Sequence, residues 1–214
     1  MSKTCKICKE KFEPKYSSVQ CVCSPKCSYE YAKRQREKKE AKKKKEWNQK
    51  AREWKQNDPK NKSNPRNILS KEIQKLARLI DVSFNLKCCC CNKPIEGSGH
   101  GAHYHNKQGN ENIKYNLHNI HRSRAHCNEH NSEHKKGYYI ELEKRYGTEY
   151  RDYIEHDLRL QYKEMHFTID EINNALKTTR KLIREFDTFQ FNDPVSARNQ
   201  LNAVIGLYKG GVTN

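Results

Sequence analysis

The stretch CCCCNKPIEGSGHGAHYH, residues 88–105, decides how the middle of this chain folds. It opens with four consecutive cysteines, closes with three histidines in six residues, and holds few apolar side chains. A second ligand pair, Cys127-x2-His130, follows in HCNEHN at residues 126–131. Two such pairs suit one tetrahedral zinc ion, which would clamp together the two ends of the hairpin between them.

The other two ligands come from the four consecutive cysteines, Cys88 to Cys91, and the spacing alone allows several choices of two. Adjacent residues seldom bind the same tetrahedral ion, so Cys88 with Cys91 is preferred over pairs that use Cys89 or Cys90. The predicted ligands of this structural zinc are Cys88, Cys91, Cys127 and His130.

The N-terminal segment carries another set of closely spaced cysteines, Cys5-x2-Cys8 and Cys23-x3-Cys27. This segment is too short and too polar to fold by apolar burial alone, and zinc binding would supply the missing folding energy. The predicted ligands of this first zinc are Cys5, Cys8, Cys23 and Cys27, with Cys21 as an alternative to Cys23.

The composition points to a polyanionic partner. Only 34% of the 214 residues are hydrophobic, and the formal net charge is +17, which favours nucleic acid. No apolar run approaches the ~20 residues that a membrane-spanning helix needs, and MSKTCKICKE lacks the apolar core of a signal peptide. We therefore expect a cytoplasmic protein whose ten cysteines serve as metal ligands rather than in disulfides.

A basic helix is predicted over residues 31–57, which contain no Gly or Pro and are rich in good helix formers. The helix could lie along DNA through phosphate contacts or serve as a solvated connector. The lysines best suited to phosphate contacts are Lys42, Lys43, Lys44 and Lys45. Two prolines and several turn residues then predict a linker at 58–66.

Helices are predicted on both sides of the histidine region. The apolar residues Leu69, Ile73, Leu76 and Ile80 repeat at helical spacing, which indicates a core-facing helix. Residues 137–165 favour a helix with a break at Gly147.

The last 49 residues contain further helix signals. TIDE, from Thr168 to Glu171, is a capping box, and Asp193 with Pro194 starts a final helix that Gly210 ends. The predicted divisions are a zinc module at 1–30, the basic helix at 31–57, the linker at 58–66, a histidine-rich domain with flanking helices at 67–165, and a helical region at 166–214. The predicted fold class is mainly α with small zinc-stabilised modules.

The histidine-rich module resembles the HNH, or ββα-metal, nucleases. In that family a strand histidine is the general base, a nearby residue and one on the helix bind a divalent cation, and a middle asparagine holds the loop. The resemblance implies His103 as the general base, Asn119 as the orienting asparagine, and His100 with Asn131 as ligands of the catalytic cation.

The order of elements along the chain resembles a more specific family. An N-terminal CKICKEKFEP…VCSPKC, a basic helix, a cysteine pair, HGAHY, NIH and CNEHN are similar to the NinG (Rap) recombination proteins of lambdoid phages. The resemblance covers roughly residues 1–160. It implies a structure-specific endonuclease that acts on Holliday junctions and D-loops, in the host cytoplasm if the protein is phage-encoded.

Three features depart from that family's pattern. His130 stands where a cysteine is usual, which zinc tolerates. HGAHY replaces HAGHY and moves the glycine. About three extra residues separate Asn119 from Cys127, so His118 and His121 are alternatives to Asn119 in its role. His105, His126 and His134 are interpreted as surface groups or as neighbours of the site.

The implied chemistry suits these residue types. A neutral imidazole can take a proton from the water that attacks phosphorus, and a divalent cation can stabilise charge on the phosphoryl and leaving oxygens. Open coordination positions favour Mg²⁺ or Mn²⁺ here, with zinc on the thiolates. Without the resemblance, His100, His103 and Asn131 could equally be further zinc ligands or polar loop residues.

The sequence thus predicts an HNH-type endonuclease with two structural Zn²⁺ and a catalytic Mg²⁺ or Mn²⁺. Arg122, Arg124, Lys135 and Lys136 would hold the DNA backbone. Two alternatives are a non-catalytic zinc-containing DNA-binding accessory protein and an HNH enzyme that selects a sequence. Two coordinated cuts across a junction would favour a homodimer.

Overall fold

The computed structural model describes residues 2–58, 61, 63–130 and 132–208, without the side chains of residues 56, 57 and 130. Its helices outweigh its short strands, which confirms the mainly α prediction. The chain divides into two compact units, residues 1–58 and 59–214. Each unit is described by itself.

The first unit consists of a small hairpin followed by one long helix. Strands β1 (Lys3–Thr4) and β2 (Lys11–Phe12) pair antiparallel, and α1 runs from Pro25 to Asn57. The Ser24 hydroxyl caps α1 by accepting from the backbone N–H of Cys27 at 3.3 Å, and Pro25 suits the first helical turn. The helix therefore begins ahead of the predicted residue 31, inside the cysteine segment.

Helix α1 is exposed along most of its length. Its 33 residues span about 50 Å at ~1.5 Å per residue. The four lysines at 42–45 are all exposed, and Trp47 and Trp54 are each 73% exposed. Among the described residues, no helix has both the length and the apolar character to cross a bilayer.

The second unit is built around helix α2, Pro65–Ser83, which Asn64 caps. All four predicted core positions of α2, Leu69, Ile73, Leu76 and Ile80, are fully buried. This confirms the core-facing helix. Helix α7, Ile169–Arg184, packs along α2, and the predicted capping box between Thr168 and Glu171 is present.

A β-hairpin packs against α2. Strand β3 (His100–His103) pairs antiparallel with β4 (Ile120–Ser123), after a short 3₁₀ turn at Leu117–Asn119, and α3 (Ala125–His130) follows directly. A Cβ on Gly101 would lie 2.8 Å from the Cβ of Gln74, so glycine is needed for α2 to approach β3 this closely.

Four short helical segments follow α3: α4 (His134–Tyr146), α5 (Thr148–Asp152), a π-helical turn (Tyr153–Asp157) and α6 (Leu158–Gln161). Gly147, with φ of 87°, separates α4 from α5, as the sequence predicted. The C-terminal α8 (Pro194–Ile205) is capped by Asp193 as expected. It ends before the predicted Gly210, because Gly206 takes the left-handed conformation that terminates helices.

Candidate metal centres and catalytic site

The four predicted N-terminal cysteines form one cluster. The sulfur atoms of Cys5, Cys8, Cys23 and Cys27 all lie within 4.8 Å of one another. Helix α1 supplies Cys27 from its first turn, which explains why the helix starts inside the cysteine segment. Cys21 stands outside this cluster and contributes only its carbonyl, which accepts from Lys6 N–H at 3.0 Å. Four sulfur donors at this spacing suit zinc.

A second cluster joins the cysteine run to α3. The sulfur atoms of Cys88, Cys91 and Cys127 lie within 4.8 Å of one another, and those of Cys91 and Cys127 are 3.5 Å apart. Cys89 is instead fully buried beside Tyr138, and its thiol pKa is raised well above the ordinary value by that burial. The predicted fourth ligand, the His130 side chain, lies outside the described residues.

The two clusters share one backbone design. In each, the residue after the second cysteine, Lys9 or Asn92, has a positive φ and donates its N–H to the carbonyl of the first cysteine at 3.0 Å. The N–H of that first cysteine, Cys5 or Cys88, donates in turn to a carbonyl five residues on. This tight turn presents both thiols to the same side, which selects Cys88 and Cys91 from the run of four.

In each cluster, backbone amides favour the thiolate of the first cysteine, which is the form that binds metal, whereas burial and the neighbouring thiols raise the pKa of Cys127. Burial raises the pKa of the Cys88 thiol, but the N–H groups of Arg124 and Cys90 outweigh it and bring the pKa to about 7. Burial likewise raises the pKa of Cys5, and the amides of Cys8 and Ile7 bring it to about 6. The donor sets and their surroundings therefore fit structural zinc.

The hairpin sends its two predicted catalytic histidines to opposite faces. Side chains alternate along a strand, so His100 shares a face with Ala102, and His103 shares one with Gly101. Gly101 faces Gln74 of α2, whereas His100 reaches α3. His100 and His103 are therefore not brought together.

His100 meets a carboxylate that the sequence argument did not select. Its Nδ1 atom lies 3.3 Å from Oε1 of Glu129 on α3, and both side chains are partly exposed, 40% and 50%. An open cleft of about 420 Å³ is lined by His100, Arg124 and His126 among others. The predicted partner of His100, Asn131, lies outside the described residues. An imidazole nitrogen with a carboxylate oxygen suits a divalent cation.

His103 occupies a different setting. Its Nε2 atom lies 3.0 Å from the carbonyl of Lys114 and therefore carries the proton, which leaves Nδ1 as the basic nitrogen. Burial lowers the pKa of His103 to about 4, and the nearby Lys107 and Lys114 lower it too. The imidazole is neutral at cellular pH, but its basicity is low for a general base.

Asn119 holds the loop that follows β3. Its side-chain oxygen accepts from His105 N–H at 2.8 Å, and its amide donates to His105 carbonyl at 3.1 Å. Asn119 is fully buried, so these two hydrogen bonds fix the loop against the start of β4.

The proposed alternatives to Asn119 are buried elsewhere. His118 bonds Tyr150 Oη at 3.0 Å and Asn199 Oδ1 at 2.9 Å, and His121 Nδ1 lies 2.7 Å from Tyr138 Oη. His105 is also buried and its backbone bonds Asn119, which rules out a surface group and leaves the alternative of a neighbour of the site, whereas His126 is exposed. Histidine burial leaves no hydropathy signal, which is why the sequence did not separate these residues.

The predicted DNA-binding residues differ in availability. The Arg122 guanidinium donates to the carbonyls of Ser98 and Gly97, which ties down the loop before β3. Lys135 pairs with Glu155 at 3.3 Å. Lys136 pairs with Glu133 at 3.7 Å. Arg124 faces the open cleft beside His100.

The buried His118 predicts an acid-sensitive stability. Burial lowers its pKa to about 3, so only the unfolded chain takes up its proton below pH ~6.5. Its contribution is present above the unfolded-state pKa and is lost as pH falls. We expect His118→Asn to reduce the slope of unfolding free energy between pH 6 and 5 by about 1 kcal/mol per pH unit. Urea denaturation at both pH values measures this, and equal slopes would contradict it.

Comparison with protein families gave one match that covers most of the chain. A model described as "Bacteriophage Lambda NinG protein" matches residues 1–188. The chain belongs to the NinG family of phage recombination proteins. Searches of curated proteins and of solved structures each returned no significant match.

The NinG match includes both cysteine clusters, the hairpin and α7, and it ends before α8. Helix α8 is nevertheless part of the second unit, because its Arg198 is fully buried and pairs with Asp81 of α2. The family match therefore covers more of the chain than the residues 1–160 predicted from sequence. The second folded unit in turn includes α8, which lies beyond the end of the match.

Proposed function

We propose that this NinG-family protein is a structure-specific DNA endonuclease that cleaves branched recombination intermediates by metal-assisted phosphodiester hydrolysis. One observation carries the proposal: the cysteine cluster at Cys88, Cys91 and Cys127 holds the start of α3 against the hairpin, where His100 meets Glu129 at 3.3 Å. A strand histidine that lines an open cleft and meets a helix carboxylate is an arrangement that can bind a divalent cation and a phosphate.

The proposed roles follow from position. His100 and Glu129 would hold Mg²⁺ or Mn²⁺, and Asn131 is the ligand predicted from sequence. The bound cation would supply charge stabilisation for the phosphoryl and leaving oxygens. Arg124, on the same cleft, would hold the phosphate through its guanidinium. A basic chain of net charge +17 supports DNA as the substrate.

Two histidines compete for the role of general base. The family motif favours His103, whereas position favours His126, which lines the same cleft as His100. A base must come within about 3 Å of the attacking water, directly or through one further water. His103 lies on the opposite face of β3 with a pKa of about 4, so both residues belong in the test.

The same features of His103 favour a second candidate function, a non-catalytic DNA-binding accessory protein. Its Nε2 atom is engaged by the Lys114 carbonyl, and its side chain does not share a face with His100. In that case the zinc clusters and basic surface would bind branched DNA without cutting it.

Cleavage of a labelled four-way junction and its matched duplex, with Mg²⁺ or Mn²⁺ at near-physiological salt, tests the proposal. We expect junction-selective cutting by the wild type and a loss of about 100-fold or more in His100→Ala and Glu129→Gln, because each removes a cation ligand. Zinc content and DNA affinity should not change. His156→Ala, at an exposed site outside the cleft, is the matched control.

The remaining variants and outcomes separate the candidates. Loss of cutting in either His103→Ala or His126→Ala identifies the base. Tight junction binding without cutting under either metal would overturn the nuclease and support the accessory protein. Cutting of one duplex sequence in preference to the branch would instead indicate the sequence-selecting enzyme.

A further inference from the structure

A lysine-lined cleft lies on the α2 side of the hairpin and shares no lining residue with the cleft at His100. Its volume is about 290 Å³. Two segments contribute its lysines: Lys71 comes from α2, and Lys107 and Lys114 come from the connection between β3 and β4. Arg66 and Glu111 complete the charged lining.

The charges in this cleft are not balanced. Glu111 pairs with Lys114, and the Arg66 guanidinium donates to the Phe167 carbonyl at 2.6 Å. In the described part of the chain, Lys71 and Lys107 have no carboxylate within 4.0 Å. Although the Lys107 side chain is exposed, its surroundings partly desolvate the ammonium group and lower its pKa, and the ammonium groups of Lys114 and Lys71 lower it further. The ammonium groups of Lys71, Lys107 and Lys114 converge here with only Glu111 among the lining residues to balance them, which costs free energy that a bound anion would offset.

We infer that the cleft formed by Lys71, Lys107 and Lys114 binds the phosphodiester backbone of DNA. Three cations from α2 and the β3–β4 connection can contact consecutive phosphates, which positions a duplex without reading its sequence. The partner rests on the proposed function, and the inference adds a second backbone contact, separate from the phosphate site at His100 and Arg124.

The cleft suggests a structural role for His103. Its Nε2 atom bonds the carbonyl of Lys114, and Lys107 and Lys114 are close enough to lower its pKa. His103 therefore lies beside the proposed backbone path and fixes the segment that carries Lys114. The residues chosen by sequence for DNA binding did not include Lys71, Lys107 or Lys114.

The salt dependence of DNA binding tests the inference separately from cleavage. Binding of a fluorescent four-way junction is measured at several salt concentrations, without Mg²⁺ or chelator, for wild type and Lys71→Gln/Lys107→Gln. Loss of two phosphate contacts should lower the slope of log K against log salt by about 1.8 and weaken binding about tenfold near physiological salt. Lys177→Gln, at an exposed position on α7, is the matched control. It should change the salt slope and the affinity much less than the double variant does.

The outcomes distinguish this inference from the proposed function. An unchanged slope in the double variant, with wild type still binding and cutting junctions, would overturn the lysine cleft alone. If the wild type does not bind DNA, both the proposed function and the assignment of DNA to this cleft are wrong. A thermal melt of each variant shows that the fold is kept, since both substitutions lie at exposed positions.

Discussion

Replacing Cys91 by serine is expected to release one zinc ion per chain and to unfold the hairpin and α3. The cluster of Cys91, Cys88 and Cys127 ties the cysteine turn to α3, and structural zinc contributes roughly 10–16 kcal/mol of apparent binding energy in small zinc-dependent folds. A loss of even about 5 kcal/mol would lower the Tm by about 10–20 °C in a unit of this size. Metal analysis and thermal denaturation measure both effects.

Two matched variants sharpen that prediction. Cys90→Ser alters a neighbour in the same run outside the cluster, so zinc content should be kept. Cys8→Ser should release the other zinc and leave the melting of the second unit unchanged, because the first unit folds around its own cluster. Full zinc content in Cys91→Ser would rule out this cluster as a metal site.

The cysteine clusters were predictable because metal binding imposes a local spacing. A pair two residues apart must form a tight turn to bind one ion, and that turn appears twice, at Lys9 and at Asn92. Helix α2 was predictable for a similar reason, since Leu69, Ile73, Leu76 and Ile80 recur at the helical period and all four are buried in the core. Features that depend on the spacing of residues within one turn or one helix can be predicted without knowledge of the rest of the fold.

The arrangement of the candidate site depended on more than local spacing. Residues three apart on a strand point to opposite faces, so His100 and His103 would share a face only if the strand ended between them. It continues through His103. The partner of His100, Glu129, depends on how α3 lies against the hairpin, and no pattern within α3 marks it.

The buried polar groups of the second unit could not be predicted from sequence. His118 and His121 are buried against the rings of Tyr150 and Tyr138, which belong to helices that follow the hairpin. Arg198 pairs with Asp81, which lies 117 residues earlier in the chain, and the sequence around either residue does not identify its partner. Such contacts can be identified only from the tertiary fold. The hydropathy pattern shows which apolar residues are buried, but it does not show which polar side chains are buried with them.

Breaking the buried pair of Asp81 and Arg198 is the second large effect that we expect. Both side chains are fully buried. Arg198 also donates to the Leu117 carbonyl at 3.2 Å, and Asp81 accepts from Arg122 N–H. Removing one partner leaves an uncompensated buried charge, so Asp81→Asn and Arg198→Met should each lower the free energy of unfolding by about 3–5 kcal/mol. Urea denaturation with zinc present measures the loss.

The double variant separates an ion pair from a simple loss of packing. Asp81→Asn/Arg198→Met leaves no buried charge, so its destabilisation should be smaller than the sum of the two single losses by about 1 kcal/mol or more. The control is the surface pair of Arg180 and Glu72, which joins α7 to α2 at 3.1 Å and is partly exposed. Arg180→Met should cost under about 1 kcal/mol, because water screens the pair. If Arg198→Met costs no more than Arg180→Met, the buried pair does not hold α8 and β4 to α2.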